Sequence, residues 1–134
     1  MPTNLIGVDN PEVLEISINS PPANFMYICT GVAMIDYTWG HDGVGHEPLS
    51  FHIVDDGENP LRFNRGAVTG TATTASLNAI SGSGHVTWAV DSVDSDQDEE
   101  FVTLTANLAV TGGGDVLHRM GYQVTILSTE RRIT

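Results

Sequence analysis

Alternation of apolar and polar residues runs through most of this chain, and it restricts the fold more than any other feature. From Phe101 to Val110 the even positions are Val102, Leu104, Ala106, Leu108 and Val110, with Thr103, Thr105 and Asn107 between them. From Val116 to Leu127 they are Val116, His118, Met120, Tyr122, Val124 and Ile126, opposed by Arg119, Gln123 and Thr125. Leu14, Ile16 and Ile18 alternate with Glu15, Ser17 and Asn19, and Val86, Trp88 and Val90 with His85, Thr87, Ala89 and Asp91. Residues two apart share one face of a strand, so each segment predicts a strand with one buried and one solvated face. No stretch of similar length carries a helical stripe at i, i+3, i+4 and i+7. The chain is expected to be all-β with little helix.

Turn-forming residues punctuate these segments. Pro21-Pro22 closes one strand, HDGVGHEP forms a connection, and DDGENP separates Leu49–Val54 from Leu61–Phe63. SGSG precedes the His85 strand, and TGGGD predicts a hairpin between the last two long strands. About seven to nine strands at a spacing of roughly 8–15 residues describe an antiparallel β-sandwich, either immunoglobulin-like or jelly-roll. A length of 134 residues suits one domain over 1–134, with extended arms expected at about 1–10 and 128–134.

The segment Phe25–Asp36 breaks the pattern. Phe25, Tyr27, Cys29, Ala33 and Ile35 share one face, while Met26, Ile28, Val32 and Met34 line the other. A strand apolar on both faces is covered twice or meets another chain. Tyr37 and Trp39 follow it, beside Gly40 and His41, where an aromatic pair suits an interface or a sugar ring. The lone cysteine, Cys29, excludes an internal disulfide and reads as a small buried hydrophobe.

Charge narrows the function classes. There are 17 acids against 5 bases, a formal charge of -12, and every base is arginine: Arg62, Arg65, Arg119, Arg131 and Arg132. Tracking a phosphate backbone needs clustered Lys or Arg, so nucleic acid is not an expected partner. The charge-free apolar stretch Ser17 to Ile35 is broken by Asn19, Ser20 and Pro21-Pro22, so no membrane span is expected. The opening MPTNLIGVDN has neither a basic region nor an apolar one, so no signal peptide is expected; the reading is cytoplasmic synthesis, then incorporation into a virion or extracellular particle. Arg131 and Arg132 form a basic tail on an acidic body, suited to docking on a neighbour's acidic surface.

Motifs for chemistry are few. Asp94-x-Asp96-x-Asp98 matches the first three ligand positions of an EF-hand loop, but Glu99 stands where glycine is needed and Thr105 where the bidentate glutamate is needed. What survives is a weak surface Ca²⁺ site on Asp94, Asp96 and Asp98 within an acidic loop, and no other cofactor is expected. His41, His46 and His52 lie close in sequence among carboxylates, the raw material of a metal-dependent enzyme, though their spacing matches neither a helix pair nor an alternating strand pair. His118 falls on an apolar strand face and reads as a core or interface histidine. No nucleophile elbow, phosphate loop or dinucleotide fingerprint occurs, and no catalytic residue is assigned.

The expectation is therefore a non-catalytic structural module of a larger homo-oligomeric particle, such as a virion decoration or surface protein. Its partners would be its own copies or other subunits, through an interface of Phe25, Tyr27, Ile28, Val32, Met34, Tyr37, Trp39, Arg131 and Arg132. The alternative is a lectin-like carbohydrate-binding module, calcium-assisted or not; a small metal-dependent enzyme ranks below both.

Overall fold

The computed structural model describes residues 4–39, 44–57, 59–81, 86–112 and 114–134; side chains are described for these except at 4, 36–39, 44–45, 77–81, 86–88, 110–112 and 114–118. Seven antiparallel strands carry the fold: β1 (Asn4–Ser20), β2 (Ala23–Trp39), β3 (Val44–His52), β4 (Val68–Ser81), β5 (Val86–Asp98), β6 (Phe101–Gly112) and β7 (Gly114–Ser128). They form two sheets, one ordered β1-β2-β7-β4 and the other β3-β6-β5. The protein is a β-sandwich, as the alternation predicts, and no helix occurs among the described residues.

The strand order separates the two candidate topologies. An immunoglobulin-type sandwich keeps its last strand in the smaller sheet beside its sixth. Here β7 sits in the middle of the larger sheet, between β2 and β4. Strand β2 pairs with β7 and β3 with β6, while β4 and β5 meet across the seam where the sheets come together. The pairings are nested, β2 with β7 enclosing β3 with β6, and this order is not the immunoglobulin one. The predicted TGGGD hairpin is not formed: β6 and β7 lie in different sheets, and their connection crosses between layers. Leu61–Phe63, expected as a strand, makes only isolated bridges from Arg62 to Phe101 and Ile133.

The core is the set that the alternation of β6 and β7 predicts. Val102, Leu104, Ala106 and Leu108 face Met120, Tyr122, Val124 and Ile126, and all are buried. From β2 come Tyr27, Cys29, Ala33 and Ile35, and from β3 Leu49 and Phe51. The 53–67 connection turns under one end of the sandwich and plugs it with Ile53, Leu61 and Phe63. Backbone bonds tie this plug down, from Ile53 N–H to Val102 O, Leu61 N–H to Ile53 O and Phe63 N–H to Glu100 O, each 2.8 Å.

Strand β4 was not legible as a strand, because VTGTATTASLNAIS offers small and hydroxylic residues rather than large apolar ones. Its inward positions meet polar partners on β5. Thr71 Oγ1 donates to Ser95 O at 2.6 Å, Thr73 and Ser95 join hydroxyls, and Gln97 accepts from Val68 N–H while donating to Asn64 O. This side of the sandwich closes with hydrogen bonds instead of an apolar layer.

Candidate functional site

Strand β2 is central in its sheet and is covered once. Phe25, Tyr27, Cys29, Ala33 and Ile35 turn inward, whereas Met26, Ile28, Val32 and Met34 lie on the outer face, where Asp56 of the 53–67 connection lines a depression with Glu12, Leu14, Ile28 and Thr30. The interface set read from the sequence therefore divides. Ile28, Val32 and Met34 are on the outer face. Tyr27 is a correction: it is fully buried, edge-on to Phe63 with ring centroids 5.1 Å apart. Phe25 is inward at the sheet's end, with the Arg131 guanidinium 5.3 Å from its ring centroid. Tyr37 and Trp39 are at the end of β2, opposite Val116 and Gly114; their side chains lie outside the described set.

Strand β1 inverts the expected faces. Leu14, Ile16 and Ile18 were to be buried and Glu15 and Ser17 solvated. Instead Leu14 pairs with Ile28 and Ile16 with Met26 on the outer face, and Leu14 is 57% exposed. Glu15, opposite Tyr27, is on the inner side. The cause lies in the partner strand. Burial of Tyr27 and Cys29 sets the parity of β2, and β1 must take the matching register, which three irregularities along it adjust. Apolar cross-strand pairs then compensate, on the wet side, for part of the lost burial.

Both tail arginines lie near carboxylates of the chain itself. Arg132 Nη2 lies 3.3 Å from Asp55 Oδ2, with both side chains largely buried, and its backbone N–H donates to Tyr27 Oη at 2.9 Å. Tyr27 in turn donates to Glu15 Oε1 at 2.6 Å. Burial, then the bond to the Glu15 carboxylate, push the Tyr27 phenol up to about 12. Arg131 stands 3.9 Å from Glu15, and Ile133 N–H donates to Arg62 O at 2.8 Å. The expected arm at 128–134 is thus a strap across the plugged end.

The acidic run is a strand, not a loop. Asp94, Asp96 and Asp98 alternate along the outer face of β5, opposite Thr105, Thr103 and Phe101, and the chain turns only at Glu99-Glu100. Alternate residues of an extended strand stand roughly 6.5 Å apart, too far to close a shell at Ca²⁺–oxygen distances of about 2.4 Å without other ligands. No group of three His, Cys, Asp or Glu that could hold a metal occurs among the described residues. His46 and His52 are both exposed on β3, opposite Ala109 and Thr103, six residues apart. His52 stacks on Phe101 at 4.5 Å and bonds Thr103 Oγ1 at 3.2 Å. His41 lies outside the described residues, as does the side chain of His118.

The outer face of the four-stranded sheet mixes apolar and polar side chains. Its cross-strand rows run Ile16–Met26–Leu127–Gly70, Leu14–Ile28–Thr125–Ala72, Glu12–Thr30–Gln123–Thr74 and Asp9–Val32–Gly121–Ser76, and end with Gly7–Met34–Arg119. The β1/β2 half is bulky and the β7/β4 half is small. Two shallow depressions mark this face, one of about 320 Å³ between Met26, Ala72 and Leu127, one of about 450 Å³ over Gly121 that reaches across to Asn10 and Val32. Sequence reasoning missed Leu14, Ile16, Leu127 and Ala72 as members of this face. The signal was present in the parity of β2, which fixes which residues of its neighbours can share a side. No family model matches the chain, and no curated protein or solved structure matches it at a significant level.

Proposed function

We propose that this protein is a non-catalytic structural module that assembles with copies of itself through the outer face of the four-stranded sheet. The observation that carries this reading is the row of apolar pairs there, Leu14–Ile28 and Ile16–Met26, with Leu127 completing it. Leu14 is exposed and Ile16, Met26, Ile28 and Leu127 are half-buried, so covering this contiguous set removes further apolar surface from water at roughly 25 cal/mol per Å². Charge supports a second copy as the occupant. The chain carries -12, yet the five rows hold only Asp9, Glu12 and Arg119 as charged members, while Asp94, Asp96 and Asp98 line the opposite sheet. Joining these faces points the acidic sheets apart, which keeps like-charge repulsion small.

Sedimentation of the chain at micromolar concentration tests the reading. The wild type sediments as a dimer or larger species, and Ile28→Asp shifts it to monomer while the circular dichroism of the sheet is unchanged. A wild type that stays monomeric across that range ends the proposal.

A further inference from the structure

The pattern on this face also specifies how two copies meet. Resting on the self-assembly reading above, we infer an isologous pairing about a two-fold axis that runs along the strands between β2 and β7. Such an axis lays β1 of one copy over β4 of the other, and β2 over β7. Most bulky positions then meet a small or flexible one: Leu14 faces Ala72, Ile16 faces Gly70, Val32 faces Gly121, Ile28 faces Thr125 and Met26 faces Leu127, while Met34 faces Arg119 at the end of the face. The depression beside Ala72 and Leu127 becomes a socket for the ridge of the second copy. The other in-plane axis would set β1 on β1 and β2 on β2, ridge against ridge, with both shallow halves unfilled. Close-packed interfaces do not tolerate such voids.

Size and edge chemistry agree with a face-to-face mode. Four strands about 4.8 Å apart and five rows two residues, or about 6.6 Å, apart cover on the order of 600 Å² per copy. Two copies bury roughly 1,200 Å², the lower bound of stable specific interfaces. Edge-to-edge pairing is disfavoured by the chain itself. The free edge, β1, is interrupted between Leu5 and Gly7, between Asp9 and Glu12 and between Ser17 and Ser20, with Asn10 at a φ of 50° and Pro11 next to it. Bulges and proline are the devices that blunt an edge strand. Strand β3, the edge of the other sheet, carries Pro48.

Cross-linking between singly substituted copies tests this geometry. Face-packed sheets lie about 10 Å apart, so a bismaleimide of about that reach joins residues that face each other. Cys29 is fully buried and does not compete for the reagent. An equimolar mixture of Leu14→Cys and Ala72→Cys is expected to cross-link at least fivefold more than either variant alone. A size swap adds a second readout: Ala72→Leu weakens the dimer at least tenfold, and Leu14→Ala in the same chain restores most of it. Dominant self-cross-linking of Leu14→Cys, or of Ile6→Cys at the edge, in a protein that still dimerises overturns the pairing and leaves self-assembly standing. A monomeric wild type overturns both.

Discussion

Tyr27 and Tyr122 are both buried, and their hydroxyls have opposite circumstances. Tyr27 Oη donates to Glu15 and accepts from the Arg132 N–H, while Tyr122 Oη has no hydrogen-bond partner among the described residues. The same substitution should therefore act with opposite signs. Tyr27→Phe strands a carboxylate and a backbone N–H and is expected to cost about 1–3 kcal/mol, whereas Tyr122→Phe removes an unpaired group and is neutral or stabilising. Urea midpoints of the two variants check this pair. Gly31 belongs to the same story. A Cβ there would lie 2.5 Å from Tyr122 Oη and 2.8 Å from its Cζ, so the ring crosses β2 only because position 31 has no side chain. The ring is held edge-on to Phe51, with centroids 5.5 Å apart, which limits how far it could move.

At the scale of elements, the strap from Glu130 to Ile133 and the plug from Ile53 to Ala67 hold each other. Thr129 N–H donates to Ala67 O at 2.9 Å, Asn64 reaches Glu130, and Arg132 meets Asp55. The Arg132 and Asp55 side chains are 24% and 18% exposed, so water screens this pair less than the others. Arg132→Ala is expected to lower the urea midpoint clearly, with a loss of about 1–3 kcal/mol, because Asp55 keeps its charge without its partner. Arg65→Ala is the control: its 3.9 Å contact to Glu99 joins two well-exposed side chains, and its loss should leave the midpoint unmoved. Equal effects from both would contradict the distinction. The acidic run belongs to this scale as well. Crowded carboxylates suggested a loop, but Val93, Ser95 and Gln97 occupy the alternate, inward positions, and that hidden period makes the segment a strand.

For the molecule as a whole, alkaline pH is the informative perturbation. Burial pushes Cys29, Tyr27 and Tyr122 up to about 12, with the Glu15 bond adding to the shift at Tyr27 and the neighbouring Cys29 thiol adding to it at Tyr122. Each group binds its proton more tightly folded than unfolded, so the stability it contributes is complete below its ordinary value, near 9 for the thiol and 10 for the phenols. That contribution is lost as pH rises toward about 12. Urea unfolding should be flat up to about pH 9 and decline beyond it, with phenolate absorption from Tyr27 and Tyr122 appearing only as the sheets come apart. Ionisation of all three tyrosines near pH 10 in a folded protein would contradict this. The all-β class and the inner residues of β6 and β7 were legible because a strand's period acts within the strand. What the alternation could not state was which face of β1 is inside.

That division has a physical origin. By itself the sequence determined periodicity, and with it strands, a sandwich and a core built on Val102–Leu108 and Met120–Ile126. It also exposed β2 as a strand apolar on both sides. The tertiary structure alone decided parity and partnership. Leu14 and Ile16 are outside because Tyr27 and Cys29 are inside, and Arg132 pairs with the chain's own Asp55 because β7 ends beside the plug. Alternation is a property of neighbours along the chain. The choice of face depends on register with residues far away in sequence, and only the assembled sheets contain it.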